Sequence, residues 1–446
     1  MLRRRNSRDG GGDSTPPGLK TWATPSFALA AVLFAILAGP VRAADPSGGV
    51  IADTYGTIAE ITIHYDDDLE SELTPLYLDL FSALGPDVYV RVLCRNADEM
   101  SRFADAWGVL ITSQGRTLEL INIGEDLTIW ARDRWIARES YDLASPMPSF
   151  IPLADAAYER PKFNEIDAGI ALADAGLTPP VLDTMLHIEG GNVVASRRHA
   201  FVGANIIKEN PGVSWESWDV IKHLKRITGR PVIPIQASDG TVPWCHVDMY
   251  LTPIDDHLLL VADMNLGLQL RGGPGLMDAV SADDDDGAWE TSSPIPDQLD
   301  EVTARLLRRG FFVIRLPAIA DPAGDWMVTY NNVLMEQLDG LIHVMVPQYD
   351  VPALDEFAVA TYHALGFRVS TVDVSQVFHL GGALRCIVNV TRRKPPLITT
   401  SAVRWPGEIR CYDLSPALNG YARDDSDSEG QSADTGLACP CRPPRR

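Results

Sequence analysis

The sequence has little of what marks several large classes of protein. Its six cysteines are spread irregularly over 446 residues, which excludes a small scaffold held by disulfides. Cys439 and Cys441 have no second pair of Cys or His nearby, so a zinc site is not expected. Basic residues are few, 38 against 60 acidic ones, and the net charge is −22. A chain this acidic should repel nucleic acid and anionic membranes, and it suits cationic ligands or simply solubility.

Long apolar runs are also missing, since a membrane span takes about 20 apolar residues. Residues 1–43 are typical of a secretory signal, because basic residues precede an apolar run over 27–38 and Val41-Arg42-Ala43 offers a cleavage site. A membrane anchor is the alternative, but the run is short for one. We therefore expect a secreted or periplasmic protein with no stable membrane insertion after cleavage.

The remaining composition is that of a globular protein, with 46% hydrophobic and 22% charged residues. One domain is expected over residues 44–413. Residues 414–446 are polar and of low complexity, and we expect them to be disordered. The acidic run Asp283–Asp286 lacks the ligand spacing of an EF-hand, so it is expected to be a solvated loop.

One pattern recurs along the chain: an apolar helical period, a glycine, then a short apolar strand. It follows a first predicted strand over Ile58–Tyr65. The five units are helix 73–84 with strand 88–93, helix 97–107 with strand 118–123, helix 218–228 with strand 232–235, helix 302–309 with strand 311–316, and helix 357–365 with strand 367–374. Any α/β protein contains such units, but five of them suggest a repeated supersecondary module.

Among the chemically reactive residues, one cysteine stands out. Cys386 comes just after Gly381-Gly382 and just before an apolar run. Glycines there let the backbone approach a ligand closely, so the thiol can be presented to a pocket. The alternative is a buried structural cysteine, which is the commoner fate of a lone Cys.

Two carboxylates occur in places that are costly or unusual for an acid. Asp133 lies in an apolar stretch, where a buried acid needs a partner; an ion pair with Arg132 or Arg134 is the alternative to a functional role. Glu189 follows an apolar segment and precedes two glycines. That placement suits the wall of a ligand site, although a plain turn would explain it too.

An imidazole and a third carboxylate are two residues apart. On a strand, His246 and Asp248 would point to the same side, which places an acid or base beside a carboxylate; a metal pair or a surface couple is the alternative. Several carboxylates around a thiol suit a planar guanidinium, which two carboxylates can clamp. A thiolate can attack the central carbon of that group while the imidazole donates and accepts protons.

Five motifs, in this order, resemble the guanidino-group-modifying enzymes of the pentein superfamily, above all the protein-arginine deiminases and next the agmatine deiminases. The motifs are Trp130-Ala131-Arg132-Asp133, Glu189-Gly190-Gly191-Asn192, His246-Val247-Asp248, Tyr330-Asn331-Asn332 and Cys386-Ile387-Val388-Asn389-Val390-Thr391-Arg392-Arg393-Lys394-Pro395. The resemblance covers about residues 55–400. It implies an α/β propeller of five helix–strand modules around a central active site.

The resemblance also implies a role for each matching residue. The nucleophile would be Cys386 and the general acid and base His246, with Asp133 and Asp248 holding the guanidinium. Further contacts to the substrate are expected from the remaining matched side chains, which are Glu189, Asn192, Asn331 and Arg132. No metal and no cofactor are expected, although calcium stays open.

The implied activity is hydrolysis of a guanidinium to a ureido group with release of ammonia, through a thiouronium on Cys386, with arginine in peptides as the favoured substrate. Agmatine hydrolysis and amidine transfer are the alternatives within the fold. One departure is notable, because the family usually has His before the nucleophile and this chain has Arg385. We expect a cation there to lower the pKa of the thiol and also to repel a guanidinium. A catalytically inactive arginine-binding protein is therefore the alternative of another class.

Overall fold

The strands are short, as the sequence pattern predicted, and more numerous than the six that the pattern indicated. The computed structural model describes residues 49–133, 135–139, 149–152, 160–178, 181, 186, 188–210, 217–271, 294–321, 326–338, 340–394 and 409–413. Within them the strands are β1 Gly49–Val50, β2 Thr57–Tyr65, β3 Tyr89–Cys94, β4 Thr117–Asn122, β5 Trp135–Glu139, β6 Ser149–Pro152, β7 Val193–Ala195, β8 Ala200–Gly203, β9 Val232–Ile235, β10 Leu251–Pro253, β11 Leu258–Asp263, β12 Phe312–Ala320, β13 Met327–Thr329, β14 Leu334–Leu338, β15 Leu341–Gln348, β16 Arg368–Asp373, β17 Asn389–Lys394 and β18 Ile409–Asp413.

Helices alternate with these strands along the chain. They are α1 Glu70–Ala83, α2 Ala97–Thr112, α3 Arg160–Asp174, α4 Asn205–Glu209, α5 Ser217–Thr228, α6 Met264–Arg271, α7 Ile295–Arg308, α8 Pro352–Ala364 and α9 Leu384–Ile387. Single 3-10 turns cover Asp67–Leu69, Gly190–Asn192, Val247–Met249 and Phe378–Leu380. In the part of the chain that the structure describes, no helix is both long enough and apolar enough to cross a bilayer.

The largest sheet has the order β17-β2-β3-β4-β18, antiparallel at β17 and parallel elsewhere. Its strand β2 is buried along its whole length, although its sequence alternates apolar and polar residues. The polar side chains are accommodated by partners: Glu60 accepts from Arg91 at 2.7 Å and from Thr391 at 3.0 Å. A buried strand can keep an alternating sequence when each inward charge is paired.

The predicted helix–glycine–strand units are present, with one boundary to correct. Gly229, Gly310 and Gly366 follow α5, α7 and α8 with φ of 66°, 89° and 83°, a conformation that costs glycine nothing. The sequence pattern predicted that the helix ends at Gly108, but α2 continues through Gly108 to Thr112. The turn falls instead at Gly115, where φ is 82°.

Four of the sheets share one plan, an antiparallel pair beside a parallel pair: β17-β2-β3, β7-β8-β9, β10-β11-β12 and β14-β15-β16. The fifth sheet, β1-β5-β6, is wholly antiparallel and carries none of the predicted units. Two units, α1-β3 and α2-β4, belong to the same large sheet. Five equivalent helix–strand modules are therefore not confirmed.

Several sequence-based expectations concern residues outside those the structure describes. They are the signal segment 1–43, the acidic run 283–286, and the polar tail 414–446. These expectations stay predictions.

Candidate active site

The motif residues converge because each motif lies just before one strand of a different sheet. Asp133 precedes β5, Glu189 precedes β7, His246 and Asp248 precede β10, and Cys386 precedes β17. The fifth segment, residues 331–332, precedes β14. Residues that lie hundreds of positions apart in the chain therefore meet at one place.

The segments are tied together by their backbones. The Arg132 amide donates to the Cys386 carbonyl at 3.0 Å, and the Gly190 amide donates to the Asp133 carbonyl at 3.1 Å. Asn389 Nδ2 donates to the carbonyl of Ala131 at 3.2 Å. Because these bonds join three motifs directly, the side chains they carry have defined relative positions.

Cys386 lies in the single turn α9 and is 3% exposed. Asn332 fixes that turn: its Oδ1 accepts from the Arg385 amide at 2.7 Å and from the Cys386 amide at 3.3 Å. Its Nδ2 points at Cys386 Sγ from 3.4 Å. Asn332 thus both supports the turn α9 and donates to the sulfur of Cys386.

The surroundings of Cys386 oppose ionisation of its thiol. Burial raises the pKa of Cys386 to about 11, and the nearby Asp248 carboxylate adds to the rise. A hydrogen-bonding interaction with His246 opposes it. At neutral pH Cys386 is a thiol, and a positive charge entering the site would favour the thiolate.

His246 lies between two carboxylates. Its Nε2 is 2.7 Å from Glu189 Oε2, and its Nδ1 is 3.7 Å from Asp133 Oδ1. Burial lowers the pKa of His246, but Asp133, Cys386 and Glu189 together raise it well above its usual value. The ring is therefore an imidazolium at neutral pH, with both nitrogens protonated.

The strand geometry expected for His246 and Asp248 is wrong. Residues Val247–Met249 form a 3-10 turn, and β10 begins only at Leu251. The tight turn still brings both side chains near Cys386, since each affects the pKa of its thiol.

Three glycines are required by close contacts around these groups. A Cβ on Gly191 would lie 2.6 Å from His246 Nδ1, and one on Gly382 would lie 2.5 Å from the ring of Trp130. A Cβ on Gly190 would overlap the Arg132 carbonyl oxygen. The two Gly-Gly pairs seen in the sequence thus make room for the imidazole, the indole and a neighbouring backbone.

Asp248 is fully buried and bound to the residue that departs from the family pattern. Its Oδ2 accepts from Arg385 Nη1 at 2.5 Å, and Arg385 Nη2 reaches Asp53 Oδ1 at 2.6 Å. Asp248 Oδ1 has no hydrogen-bond partner among the described residues. The charge of Arg385 is thus met by two carboxylates.

The remaining predicted contact residues, Arg132, Asn192 and Asn331, are all buried. Arg132 donates to Asn389 Oδ1 at 3.3 Å and to the Val193 carbonyl at 3.2 Å. Asn331 donates to Thr252 Oγ1 at 3.1 Å and to the Leu260 carbonyl at 3.0 Å. These bonds occupy the side-chain amide of Asn331. The adjacent residue, Asn332, is the one that contacts the thiol of Cys386.

Sequence reasoning missed Asn332 and Asp53. Asn332 stood inside a recognised motif, and the choice between it and Asn331 needed the contact to Cys386. No sequence signal marked Asp53, which is 332 positions before its partner Arg385.

A possible metal site lies elsewhere. Among the described residues, the acidic, His and Cys side chains close enough to share an ion are Asp66, Asp67 and Glu99. Arg95 already pairs with Asp67 at 2.8 Å and with Glu99 at 2.9 Å. Nothing in this group points to a cofactor for the chemistry at Cys386.

Comparison with known proteins gives a likeness of fold. No protein-family model matches the sequence, and no curated protein matches it either. The C. jejuni agmatine deiminase structure has a TM-score of 0.58 at 14% identity, covering 79% of this chain and 98% of that one. The agmatine deiminase of Enterococcus faecalis has a TM-score of 0.55 at 13% identity, with 78% and 96% covered. A candidate peptidyl-arginine deiminase has a TM-score of 0.53 at 14% identity, with 77% and 98% covered. The chain therefore has the mixed α/β fold of the pentein deiminases, as its motifs predicted.

Proposed function

We propose that the protein hydrolyses a guanidinium to a ureido group and releases ammonia. One observation carries the proposal: a buried thiol lies beside an imidazolium held by two carboxylates, and beside a third carboxylate with one unoccupied oxygen. Four carboxylates around the thiol (Asp53, Asp133, Glu189 and Asp248) face three cations (Arg132, His246 and Arg385), so the site keeps one net negative charge, which suits a guanidinium. In the same proposal the five sheets are the five blades of a propeller around this site.

The first half of the reaction transfers the amidine carbon to sulfur. A guanidinium bound at Asp133 and Asp248 brings a positive charge next to Cys386, which lowers the pKa of the thiol, and its proton leaves to solvent. The thiolate attacks the central carbon and forms a C–S bond. His246 gives its proton to one nitrogen, the C–N bond breaks, and ammonia leaves from a thiouronium on Cys386.

The second half reverses the role of the imidazole. Neutral His246 takes a proton from water, and the hydroxide adds to the thiouronium carbon. The C–S bond then breaks, leaving the ureido product, while Cys386 and His246 return to their starting protonation. Glu189 orients the ring through Nε2 at 2.7 Å, and Asn332 supports the sulfur from 3.4 Å. In hydrolysis the acceptor is water, whereas in amidine transfer it is an amine. The Glu-Gly-Gly segment favours hydrolysis.

Arginine within a peptide is the proposed substrate. The segment from Asn389 resembles the protein-arginine branch, and the predicted export would bring the enzyme to peptides more readily than to cytoplasmic amines. Agmatine is the second candidate, because Glu189-Gly190-Gly191 resembles the agmatine branch and two of the structural neighbours are agmatine deiminases.

The test compares ureido formation and ammonia release from an arginine peptide, agmatine and free arginine at matched concentrations. Cys386→Ala serves as the control for the chemistry. We expect a higher kcat/KM on the peptide. A tenfold preference for agmatine, about 1.4 kcal/mol of transition-state discrimination, would replace the peptide assignment and keep the chemistry. Binding of these compounds without turnover of any of them would replace the enzyme by an arginine-binding protein.

A further inference from the structure

We propose that Arg385 is a positioning residue, an internal guanidinium that Asp53 holds in place and that presents one oxygen of Asp248 to the substrate. The inference rests on the proposed function and goes beyond it, because it assigns a role to the residue that departs from the family pattern and to an aspartate in the first described segment.

The Arg385 side chain bridges the carboxylates of Asp248 and Asp53. Arg385 reaches Asp248 with Nη1 at 2.5 Å and Asp53 with Nη2 at 2.6 Å. The Arg385 side chain is 6% exposed and that of Asp248 is 1% exposed. Charge-assisted bonds of this length between buried groups are the strong kind, and removing one partner leaves a charge uncompensated.

Asp53 is held in place by Ala195 through both its side chain and its backbone. Its Oδ2 accepts from the Ala195 amide at 2.7 Å, and its own amide donates to the Ala195 carbonyl at 2.9 Å. Ala195 ends β7, the strand that follows Glu189. Burial raises the pKa of Asp53, but Arg385 and then Arg132 outweigh it and lower the pKa overall. Asp53 therefore stays ionised and holds Arg385 by charge.

The bridge leaves Asp248 with one oxygen for a ligand. Oδ2 is occupied by Arg385, while Oδ1 is buried without a hydrogen-bond partner among the described residues. On the side of Asp53, the cavity lined by Asp53, Arg132 and Arg385 is about 10 Å³, which is room for a single water. A guanidinium does not fit in that cavity, so Oδ1 is the oxygen of Asp248 that is left to receive one.

This arrangement changes how a guanidinium is held. A free carboxylate can clamp it with two parallel bonds, whereas Asp248 offers one acceptor of fixed direction. It also answers the concern that a cation before the nucleophile repels the substrate, because Arg385 shares its charge with two carboxylates. The net charge of Asp53, Arg385 and Asp248 together is −1, the same as that of one free aspartate.

The experiment compares Arg385→Met and Asp53→Asn, singly and combined, on the substrate that the wild type turns over best. Arg385→Met should lower kcat/KM at least 100-fold and raise KM at least tenfold, since Asp248 loses its orientation. Asp53→Asn should lower kcat/KM about tenfold, again mainly through KM. The double variant should match Arg385→Met, because Asp53 acts only through Arg385.

The matched control is Arg315→Met, which removes another arginine that bridges two aspartates, Asp263 at 3.4 Å and Asp300 at 2.8 Å. It should keep kcat and KM within twofold. A merely structural role for Arg385 would reduce the folded fraction, which lowers kcat and leaves KM unchanged. Thermal melts accompany each assay.

Three results would overturn the inference. One is an Arg385→Met variant whose kcat/KM stays within threefold; another is a loss confined to kcat; the third is full additivity in the double variant. If Arg385→Met does not fold, the test rests on Asp53→Asn, which keeps the shape of the Asp53 side chain. A change in its kcat/KM of less than threefold would then refute the bridge. Absence of turnover by the wild type itself would instead refute the proposed function, and the inference with it.

Discussion

The substitution Gly191→Ala adds one methyl group and should lower activity by displacing the imidazole of His246. A Cβ added there would lie 2.6 Å from Nδ1 and 2.7 Å from Cγ of His246. Ordinary contact between such atoms is about 3.5 Å, so the ring has to retreat by roughly 0.9 Å, the difference between the two. Gly191 has no positive φ, so alanine causes no backbone strain and the effect is steric.

The magnitude follows from where the ring would go. Glu189 holds Nε2 at 2.7 Å and Asp133 is 3.7 Å from Nδ1, so a shift of that size breaks the alignment of the general acid. A misplacement of about 1 Å costs on the order of 100-fold in rate, or about 2.7 kcal/mol of transition-state stabilisation. The added methyl also overpacks the site, which costs about 1–3 kcal/mol of folding stability.

The assay measures kcat/KM and the thermal melt of Gly191→Ala beside a matched variant. Gly169→Ala suits this purpose, because its new Cβ would be 3.6 Å from the Trp135 ring, an ordinary contact, and because it lies within α3. Gly169→Ala should keep its activity and gain up to about 1 kcal/mol in stability. If Gly191→Ala keeps kcat/KM within threefold, the position assigned to the imidazole is wrong.

The other predictions are briefer. Cys386→Ala should lose turnover by at least ~1000-fold with an unchanged thermal melt, and turnover retained by that variant would remove Cys386 as the nucleophile. Asn332→Ala should cost about 1–3 kcal/mol of stability, because the amides of Arg385 and Cys386 lose their acceptor, and denaturant unfolding measures it; a smaller loss means that water replaces the acceptor. Alkylation of Cys386 by iodoacetamide without substrate should accelerate as pH rises toward about 11, and a plateau near pH 8 would show that the thiol is already ionised. The folded-state pKa of His246 is raised above its unfolded value, so the stability that its charge contributes is complete below the unfolded pKa of about 6.5 and is lost as pH rises through the folded pKa. The unfolding free energies of wild type and His246→Asn should therefore converge at high pH. A difference that stays constant with pH would contradict the imidazolium. EDTA should leave the rate unchanged, whereas loss of activity with recovery on adding calcium would establish a metal requirement.

The sequence by itself determined the local elements and nominated the groups for the proposed chemistry. Strand β2, the helix–strand units and the positive-φ glycines Gly229, Gly310 and Gly366 follow from periodicity and from the conformational freedom of glycine, which are properties of neighbouring residues. Residue type also restricts which groups can act as nucleophile and as acid or base, so the sequence could nominate Cys386 and His246, whose roles stay predictions. The likeness to the mixed α/β fold of the pentein deiminases followed from the resemblance of the five motifs.

Only the tertiary structure decided which side chains pair. Arg385 finds Asp248 across 137 positions and Asp53 across 332, and no local pattern carries a partner at that distance. The end of α2 after Gly108, and the 3-10 turn that holds Asp248, were likewise decided by packing, since propensity is a weak constraint where neighbours bury a segment. Contact with Cys386 separated Asn332 from Asn331, which the sequence could not do because adjacent residues of one type differ only in where their side chains point.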